Sequence, residues 1–324
     1  MSTPRAMEAT SHRKAAFGKK CKDQESFISL VKEATAAAAG FNISDIFPSS
    51  TVIPLLTGYK AKLEKIRGRF EEIVDNIIEE HKAKKMAANV GEVDKDLVDV
   101  LLKVQEHGDL EIPLFADDIK AVILDIFSAG SETSSITVEW AMSELLKNPQ
   151  IMHKAQAEVR HVFNRKGTID ETCIQELEFL HLVIKETLRL HPPGPLLLPR
   201  ENREICKING FEIPVKTKVI VNAWAINRDP KFWDDPVYRG LNFKYTPFGA
   251  GRRICPGISF GLANIELPLA SLLYHFDWKL ADGTDNKYLD MTEAFGVTVG
   301  RRSDLILIPT VYKFVHECNM QEAV

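Results

Sequence analysis

The stretch from residue 115 to residue 147 constrains the fold more than any other part of the sequence. It reads FADDIKAVILDIFSAGSETSSITVEWAMSELLK, and apolar residues fall on nearly every side of the helix that it would form. A helix that is apolar all round belongs in the core of a large protein. We therefore predict a helix over about 115–147 that crosses the centre of a large domain.

The rest of the sequence predicts helices first and strands later. Apolar residues recur at helical spacing through most of the first two thirds of the chain. Strand-like segments follow, REICKINGFEIP, TKVIVNAWAIN and DLILIPTVY, and Asn209-Gly210 is a good hairpin turn. The predicted fold class is mainly α with a minor β portion, in one domain over 15–324 after a disordered start over 1–14.

Composition excludes several classes of function. The 324 residues carry a net charge of −4, which gives no basic surface for nucleic acid. The cysteines are odd in number and never spaced as C-x-x-C, so a disulfide framework and a zinc site are both disfavoured. They are Cys21, Cys173, Cys206, Cys255 and Cys318.

One cysteine stands in an unusual segment, the loop PFGAGRRICPG at 247–257. Pro256 suits the first position of the helix that the following apolar run predicts, which would place Cys255 near the positive end of a helix dipole, where a thiolate is stabilised. The glycines allow close approach of the backbone to a large flat group, and arginines bind carboxylates. Together these features suggest a haem with its propionates. The alternative is that Cys255 is a small buried hydrophobe near a turn.

Five polar residues interrupt the central apolar helix at AGSETSS (129–135). The Thr133 hydroxyl can bond the carbonyl of Ala129 four residues back, which loosens a helix locally. Gly130 removes side-chain bulk at the same place, so a small ligand would have room, and Glu132 with Thr133 would form a proton path. The alternative is a helix break with a serine capping a new helix.

The helix predicted over about 175–191 contains KETLRLHPP, in which Glu186 and Arg189 form an i, i+3 pair. Exposed pairs of this kind are common and stabilise a helix by only about 0.2–0.5 kcal/mol. A functional role for the pair is favoured by its position in the chain, after the polar helix segment and before the cysteine loop.

These three motifs, in this order, resemble those of the cytochrome P-450 superfamily of haem-thiolate monooxygenases. FGAGRRICPG matches the family's Phe-x-x-Gly-x-Arg-x-Cys-x-Gly loop, AGSETS its oxygen-activation motif, and Glu186 with Arg189 its Glu-x-x-Arg motif. The sequence around them, such as KETLRLHPPGPLLLPRE, is similar to the plant microsomal type, close to terpenoid and sesquiterpene hydroxylases. The resemblance runs from about Ala15 to about Tyr312.

The resemblance implies a cytochrome P-450 fold with haem b, held by Cys255 as the axial ligand of the iron. It implies that Arg253 and Arg200 hold the propionates, that Phe248 shields the thiolate, and that Thr133 with Glu132 delivers protons. The remaining positions expected against haem are Gly130, Ala129, Gly251 and Gly257. The positions expected against substrate are Leu196, Leu197, Leu198, Phe295 and Val297, although the leucines would equally suit a plain core.

The same resemblance implies hydroxylation of a small apolar substrate, a terpenoid, with O2 and with electrons that NADPH supplies through a separate reductase. Such proteins lie on the cytosolic face of the endoplasmic reticulum. Since the sequence has no apolar anchor segment, we expect a cytoplasmic or peripheral location. The apolar stretch 47–56 would either dip into a membrane surface or roof the substrate cavity.

Two parts of the family pattern lack a counterpart, so the resemblance implies an incomplete fold. No anchor, proline hinge, early β portion or Trp-x-x-x-Arg helix precedes Ala15, and FWDDPVYRGLNF (232–243) runs into the cysteine loop without a Pro-x-Arg-Phe segment. Arg239 lies in the wrong context to replace that segment's arginine. We therefore expect Glu186 and Arg189 to lack a third partner, and the chain to turn over poorly.

Two other functions are compatible with the sequence. One is a non-catalytic product of altered splicing or gene truncation with impaired haem binding. The other is a hydrolase with Cys255 as nucleophile, which would need a poised base that no histidine motif supplies.

Overall fold

The computed structural model describes residues 24–39, 43, 47, 52–87, 96–108, 111–167, 170–231, 233, 244–281 and 283–312. The start predicted for residues 1–14 lies outside the described residues, as does Arg239. The described part is mainly helical with a minor β portion, as the sequence predicts.

Helices make up most of the described chain before residue 200. They are α1 (Gln24–Ala39), α2 (Ile53–Leu56), α3 (Tyr59–Ala87), α4 (Leu97–His107), α5 (Ala116–Lys147), α6 (Pro149–Lys166), α7 (Glu171–Ile174) and α8 (Glu178–Leu190). None of the helices in the described residues is both long enough and apolar enough to cross a membrane.

Short strands and two further helices follow. They are β1 (Arg200–Glu201), β2 (Cys206–Ile208), β3 (Phe211–Ile213), β4 (Lys218–Val219), α9 (Ala223–Ile226), α10 (Ile258–His275), β5 (Phe276–Leu280) and β6 (Leu307–Val311). The strands pair antiparallel as β1 with β4, β2 with β3, and β5 with β6. The predicted hairpin is present, with Asn209 and Gly210 in the left-handed region at φ 51° and 86°.

The central helix α5 belongs to two apolar cores. Its first half, up to Phe127, packs with α1, α3 and α4. Its second half, from Val138 onward, packs with α6, α8 and α10. The polar segment 129–135 lies between the two cores, so the same helix supports both sides of that segment.

The polar segment does not break the helix. Residues 116–147 form one continuous α-helix, and the predicted alternative of a break with a new serine cap is wrong. Ser134 and Ser135 are buried within α5, and the Ser135 hydroxyl donates to the Glu132 carbonyl (3.0 Å). The serine is satisfied inside the helix and does not have to end it.

Two predicted boundaries need correction. Pro256 is not the first residue of α10, which begins at Ile258; Pro256 and Gly257 form a turn, and the Gly257 carbonyl accepts the Gly261 N–H at 2.7 Å. The segment TKVIVNAWAIN is a strand only at Lys218–Val219. Asn222 then accepts the Ala225 N–H at 2.9 Å and starts α9, because asparagine is a strong N-cap.

Candidate functional site

The cysteine loop is closed by its own backbone. The Cys255 N–H donates to the Phe248 carbonyl (3.0 Å), and the Gly249 N–H donates to the Thr246 carbonyl (3.0 Å). Between them, residues 251–253 form one short 3-10 turn. The loop therefore holds Cys255 three residues before α10, with its thiol exposed and in no disulfide. The alternative that Cys255 is a buried hydrophobe is wrong.

Two glycines give the loop a backbone that other residues do not readily adopt. Gly249 and Gly251 have φ of 73° and 74°, in the left-handed region, and a Cβ at either would meet no atom within 4 Å. A Cβ at Gly257 would lie 3.8 Å from the Cys255 sulfur. The glycines thus leave open space beside the loop and leave the sulfur accessible.

Two arginines lie together at this loop although 53 residues separate them. Arg200, in β1, donates from Nη2 to the Arg253 carbonyl at 3.3 Å. Arg253 is exposed, and Arg200 is half-buried. Their guanidinium groups are therefore available to an acidic ligand beside the thiol, as arginine forks bind carboxylates.

The predicted hydrogen bond in the central helix is confirmed. The Thr133 hydroxyl donates to the Ala129 carbonyl at 2.6 Å. Ala129 is exposed, and Gly130, Glu132 and Thr133 are half-buried. Because positions 129 and 133 share one helix face, this face of α5 presents a hydroxyl and a small side chain on an accessible surface.

The residues expected against substrate are accessible rather than core. Leu198 is 70% exposed and Phe295 is 79% exposed, and Leu196 and Val297 are also exposed. Leu197 is half-buried with a left-handed φ of 51°. The turn that carries Phe295 is tight, because a Cβ at Gly296 would lie 2.6 Å from the Thr298 carbonyl oxygen. The alternative that these leucines are plain core is wrong.

Glu186 and Arg189 form a two-point ion pair on α8. Arg189 donates from Nε to Glu186 Oε2 at 2.8 Å and from Nη2 to Glu186 Oε1 at 2.6 Å. Its third nitrogen, Nη1, donates to the Asn227 carbonyl at 2.6 Å. The Trp233 ring lies 5.0 Å from the guanidinium carbon.

The Asn227 carbonyl is thus an acceptor for Arg189. The expected lack of an arginine as the third partner of Glu186 and Arg189 stays a prediction, because Arg239 lies outside the described residues. Sequence reasoning missed Asn227 and Trp233. The only signal was their position in AINRDPKFW, and a backbone acceptor leaves no trace in residue type.

A further buried group beside this pair was also missed. The His191 ring stacks on Trp140 at 3.9 Å, and His191 Nε2 lies 2.7 Å from Glu144 Oε1. The hydrogen bond to His191 holds the pKa of Glu144 below its usual value. The group joins α5 to the end of α8, the helix that carries the ion pair.

The side chains of the cysteine loop fit a haem. An exposed thiol can ligate iron, and two accessible guanidinium groups suit propionates. The glycines allow a flat macrocycle to come close to the backbone of the loop. Among the described residues, no histidine is hydrogen-bonded to Cys255, so no observation favours a cysteine hydrolase. A helical fold with such a loop is what a haem-thiolate protein requires.

The chain belongs to the cytochrome P450 family, whose family model, Cytochrome P450, matches residues 7–307. It is 56% identical to desmethyl-deoxy-podophyllotoxin synthase of Sinopodophyllum hexandrum, over 94% of this chain and 62% of that protein. It is 54% identical to premnaspirodiene oxygenase of Hyoscyamus muticus, over 93% of this chain and 63% of that protein. It is 49% identical to germacrene A hydroxylase of Barnadesia spinosa, over 94% and 63%.

The chain thus spans less than two thirds of the length of these relatives. The cofactor of the family is haem b, and the family takes electrons from an NADPH-dependent reductase.

Proposed function

We propose that this chain functions as a haem-thiolate monooxygenase that hydroxylates a small apolar substrate. The observation that carries the proposal is the exposed Cys255 thiol, held in a glycine loop beside Arg253 and Arg200. Bound haem would supply the activation of O2. Cys255 would ligate the iron, and the two arginines would bind the propionates and orient the macrocycle.

The remaining loop positions have supporting roles in this proposal. Phe248 packs its half-buried ring on the core of α6, α8 and α10, and its carbonyl accepts the Cys255 N–H. It would therefore position the thiolate and shield one side of it when haem is bound. Gly257 lies beside the sulfur, since a Cβ there would be 3.8 Å from Cys255 Sγ, and Gly251 gives the loop its left-handed turn at φ 74°.

Thr133 and Glu132 would deliver protons to the haem site. The Thr133 hydroxyl donates its hydrogen to the Ala129 carbonyl, so its oxygen can accept a further hydrogen bond from a group bound at the open face of α5. Glu132, the neighbouring residue, is half-buried and can exchange protons with solvent. Ala129 and Gly130 leave room for a small bound species beside that hydroxyl.

The proposed substrate is a terpenoid. Leu196, Leu198, Phe295 and Val297 are exposed apolar side chains on two separate segments, which suits a ligand with few polar groups. Two relatives are named as a premnaspirodiene oxygenase and a germacrene A hydroxylase, in keeping with hydroxylation chemistry. Electrons would come from NADPH through a separate reductase.

We also propose a peripheral contact with a membrane surface near α2. Phe47, Val52 and Leu56 are each more than half exposed, at 54%, 56% and 81%. Exposed apolar patches mark interaction sites, and a lipid surface would cover this one.

The assignment of Cys255 is tested by the absorbance of the reduced protein with haem under carbon monoxide. Cys255→Ala should abolish the haem-thiolate band, because it removes the ligand. Cys206→Ala is the matched control, since Cys206 is also exposed and free. That variant should keep the band.

Circular dichroism should show both variants folded, because neither side chain is buried. A haem-thiolate band that survives Cys255→Ala, or disappears with Cys206→Ala, would overturn the assignment. Wild-type protein that takes up haem without a thiolate band would contradict the proposed function as a whole.

A further inference from the structure

A buried histidine of α3 has an acceptor at each ring nitrogen. His81 Nδ1 lies 2.7 Å from the Ile77 carbonyl, and Nε2 lies 2.9 Å from Asp96 Oδ2. The two side chains are only 5% and 4% exposed. A carbonyl and a carboxylate can only accept hydrogen bonds, so both ring nitrogens must carry hydrogen to satisfy this geometry.

Asp96 has a second role at the same place. It is the N-cap residue of α4, and its Oδ1 accepts the Asp99 N–H at 3.1 Å. One carboxylate therefore caps α4 with one oxygen and binds the ring of α3 with the other. The start of α4 depends on α3 through this single side chain.

Two charged groups on helices packed against α3 pair with residues of α3 other than His81. Glu33 of α1 pairs with Arg69 at 3.4 Å, and Lys120 of α5 pairs with Asp75 at 2.6 Å. Besides Asp96, the carboxylate that acts on His81 among the described residues is Asp99. Both carboxylates favour the positively charged ring.

We propose that His81 and Asp96 form a buried imidazolium–carboxylate lock between α3 and α4, which opens when the imidazolium loses its proton as the pH rises. The residues next to the lock in the chain, Ile77, Ile78 and Val98, belong to the core that holds the first half of α5. The lock is thus a conformational device of the core formed by α1, α3, α4 and the first half of α5, separate from the haem chemistry.

The direction of the pH effect follows from the two partners. The hydrogen bond to Asp96 raises the pKa of His81 above its usual value, and burial opposes that rise without cancelling it. A histidine pKa raised by folding stabilises the closed state fully below the usual pKa of about 6.5 and loses that effect as the pH rises through the raised pKa.

Asp96 determines the lowest pH at which the lock still stabilises the closed state. Burial alone would raise the pKa of Asp96, but the hydrogen bonds from His81 and the Asp99 N–H outweigh burial and lower it. Its contribution is present above the usual carboxyl pKa and disappears as the pH falls through the lowered one. The lock is therefore strongest between mildly acidic and neutral pH.

Amide hydrogen exchange of the 324-residue chain from pH 6 to pH 9.5, corrected for intrinsic exchange rates, tests the lock. Protection of α3 and α4 should fall by up to about tenfold per pH unit between about 6.5 and the raised pKa, since the open state has lost one proton there. Protection of α6 and α8, in the other core, should not follow this course.

Asp96→Asn is the sharpest variant, because asparagine keeps the N-cap and removes the charge. In this variant α3 and α4 should lose the pH-dependent change. His107→Gln is the matched control, since His107 ends α4, is exposed, and its Nδ1 lies 2.8 Å from the Lys103 carbonyl and not beside Asp96. That control should behave as wild type.

Nitrogen-15 NMR of the histidine rings gives a direct measure that does not depend on a variant. It should show that both His81 nitrogens keep their protons to a pH above the usual histidine pKa of about 6.5. A His81 ring that loses its proton at or below that pKa, or a pH course that persists in Asp96→Asn, would overturn the proposal.

Discussion

Thr133 and Pro256 show what a single residue type allows one to predict. A threonine inside a helix has few partners for its hydroxyl other than the carbonyl four residues back, and that is where the hydroxyl donates. Proline favours the first turn of a helix but does not require it, and α10 begins two residues later. The exposure of Cys255 was predictable from its glycine neighbours, whereas the contact of Arg200 with the Arg253 carbonyl comes from distant chain segments.

Thr133→Ala should lower the product formed per NADPH consumed, while the haem-thiolate band and the thermal stability persist. The variant removes the proposed proton-handling oxygen and one intrahelical hydrogen bond, and alanine is the better helix former by about half a kcal/mol. Coupling is measured as product per NADPH with a reductase partner. A loss of several-fold or more is expected, since general acid–base groups contribute about 10²–10⁴-fold.

Thr133→Ser keeps a hydroxyl at the same position and should restore most of the coupling. Unchanged coupling in the alanine variant would show that Thr133 only packs against its own helix.

At the scale of elements, periodicity predicts long helices and misses short ones. The continuous apolar pattern of α5 and the Asn-Gly hairpin follow from local rules that leave few alternatives. Strand β5 was not predicted, because its sequence continues the apolar run of α10, and only pairing with the distant β6 makes it a strand. The start of α9 depended on one Asn side chain inside a strand-like run.

The region of α2 carries the prediction on membrane binding. Replacing Phe47, Val52 and Leu56 by Ser should weaken partitioning onto phospholipid vesicles at least about tenfold, since burying one large apolar side chain contributes about 1.5–3 kcal/mol. Flotation with vesicles measures the bound fraction.

The matched control replaces Ile205, Ile208 and Phe211 by Ser, because these side chains are also more than half exposed but lie at the β2–β3 hairpin. This control should float as wild type does. If the two variants float to the same extent as each other, α2 does not contact the membrane. That result would favour the alternative that the stretch 47–56 covers the substrate cavity.

Across the whole molecule, α5 is tied to chain segments more than 150 residues away. The Trp140 ring donates from Nε1 to the Val299 carbonyl at 3.1 Å, and Arg301 donates to the Ser143 hydroxyl at 3.0 Å. The Val299 N–H in turn donates to the Pro193 carbonyl at 2.9 Å. No sequence pattern predicts these contacts, because each involves a loop, and the path of that loop is determined only by the folded structure.

Trp140→Phe should therefore loosen the segment 291–305, which carries Phe295 and Val297. The variant keeps an aromatic ring that can stack on His191 but leaves the Val299 carbonyl without its indole donor, and leaving a buried polar group unpaired costs about 1–3 kcal/mol. The midpoint of thermal unfolding should fall, and amide exchange in 291–305 should accelerate. Trp278→Phe is the matched control, because it loses the same type of bond, from Nε1 to the Leu272 carbonyl at 3.0 Å, between β5 and α10. It should lower the midpoint without changing exchange in 291–305, and equal exchange there in both variants would show that Trp140 does not hold that loop.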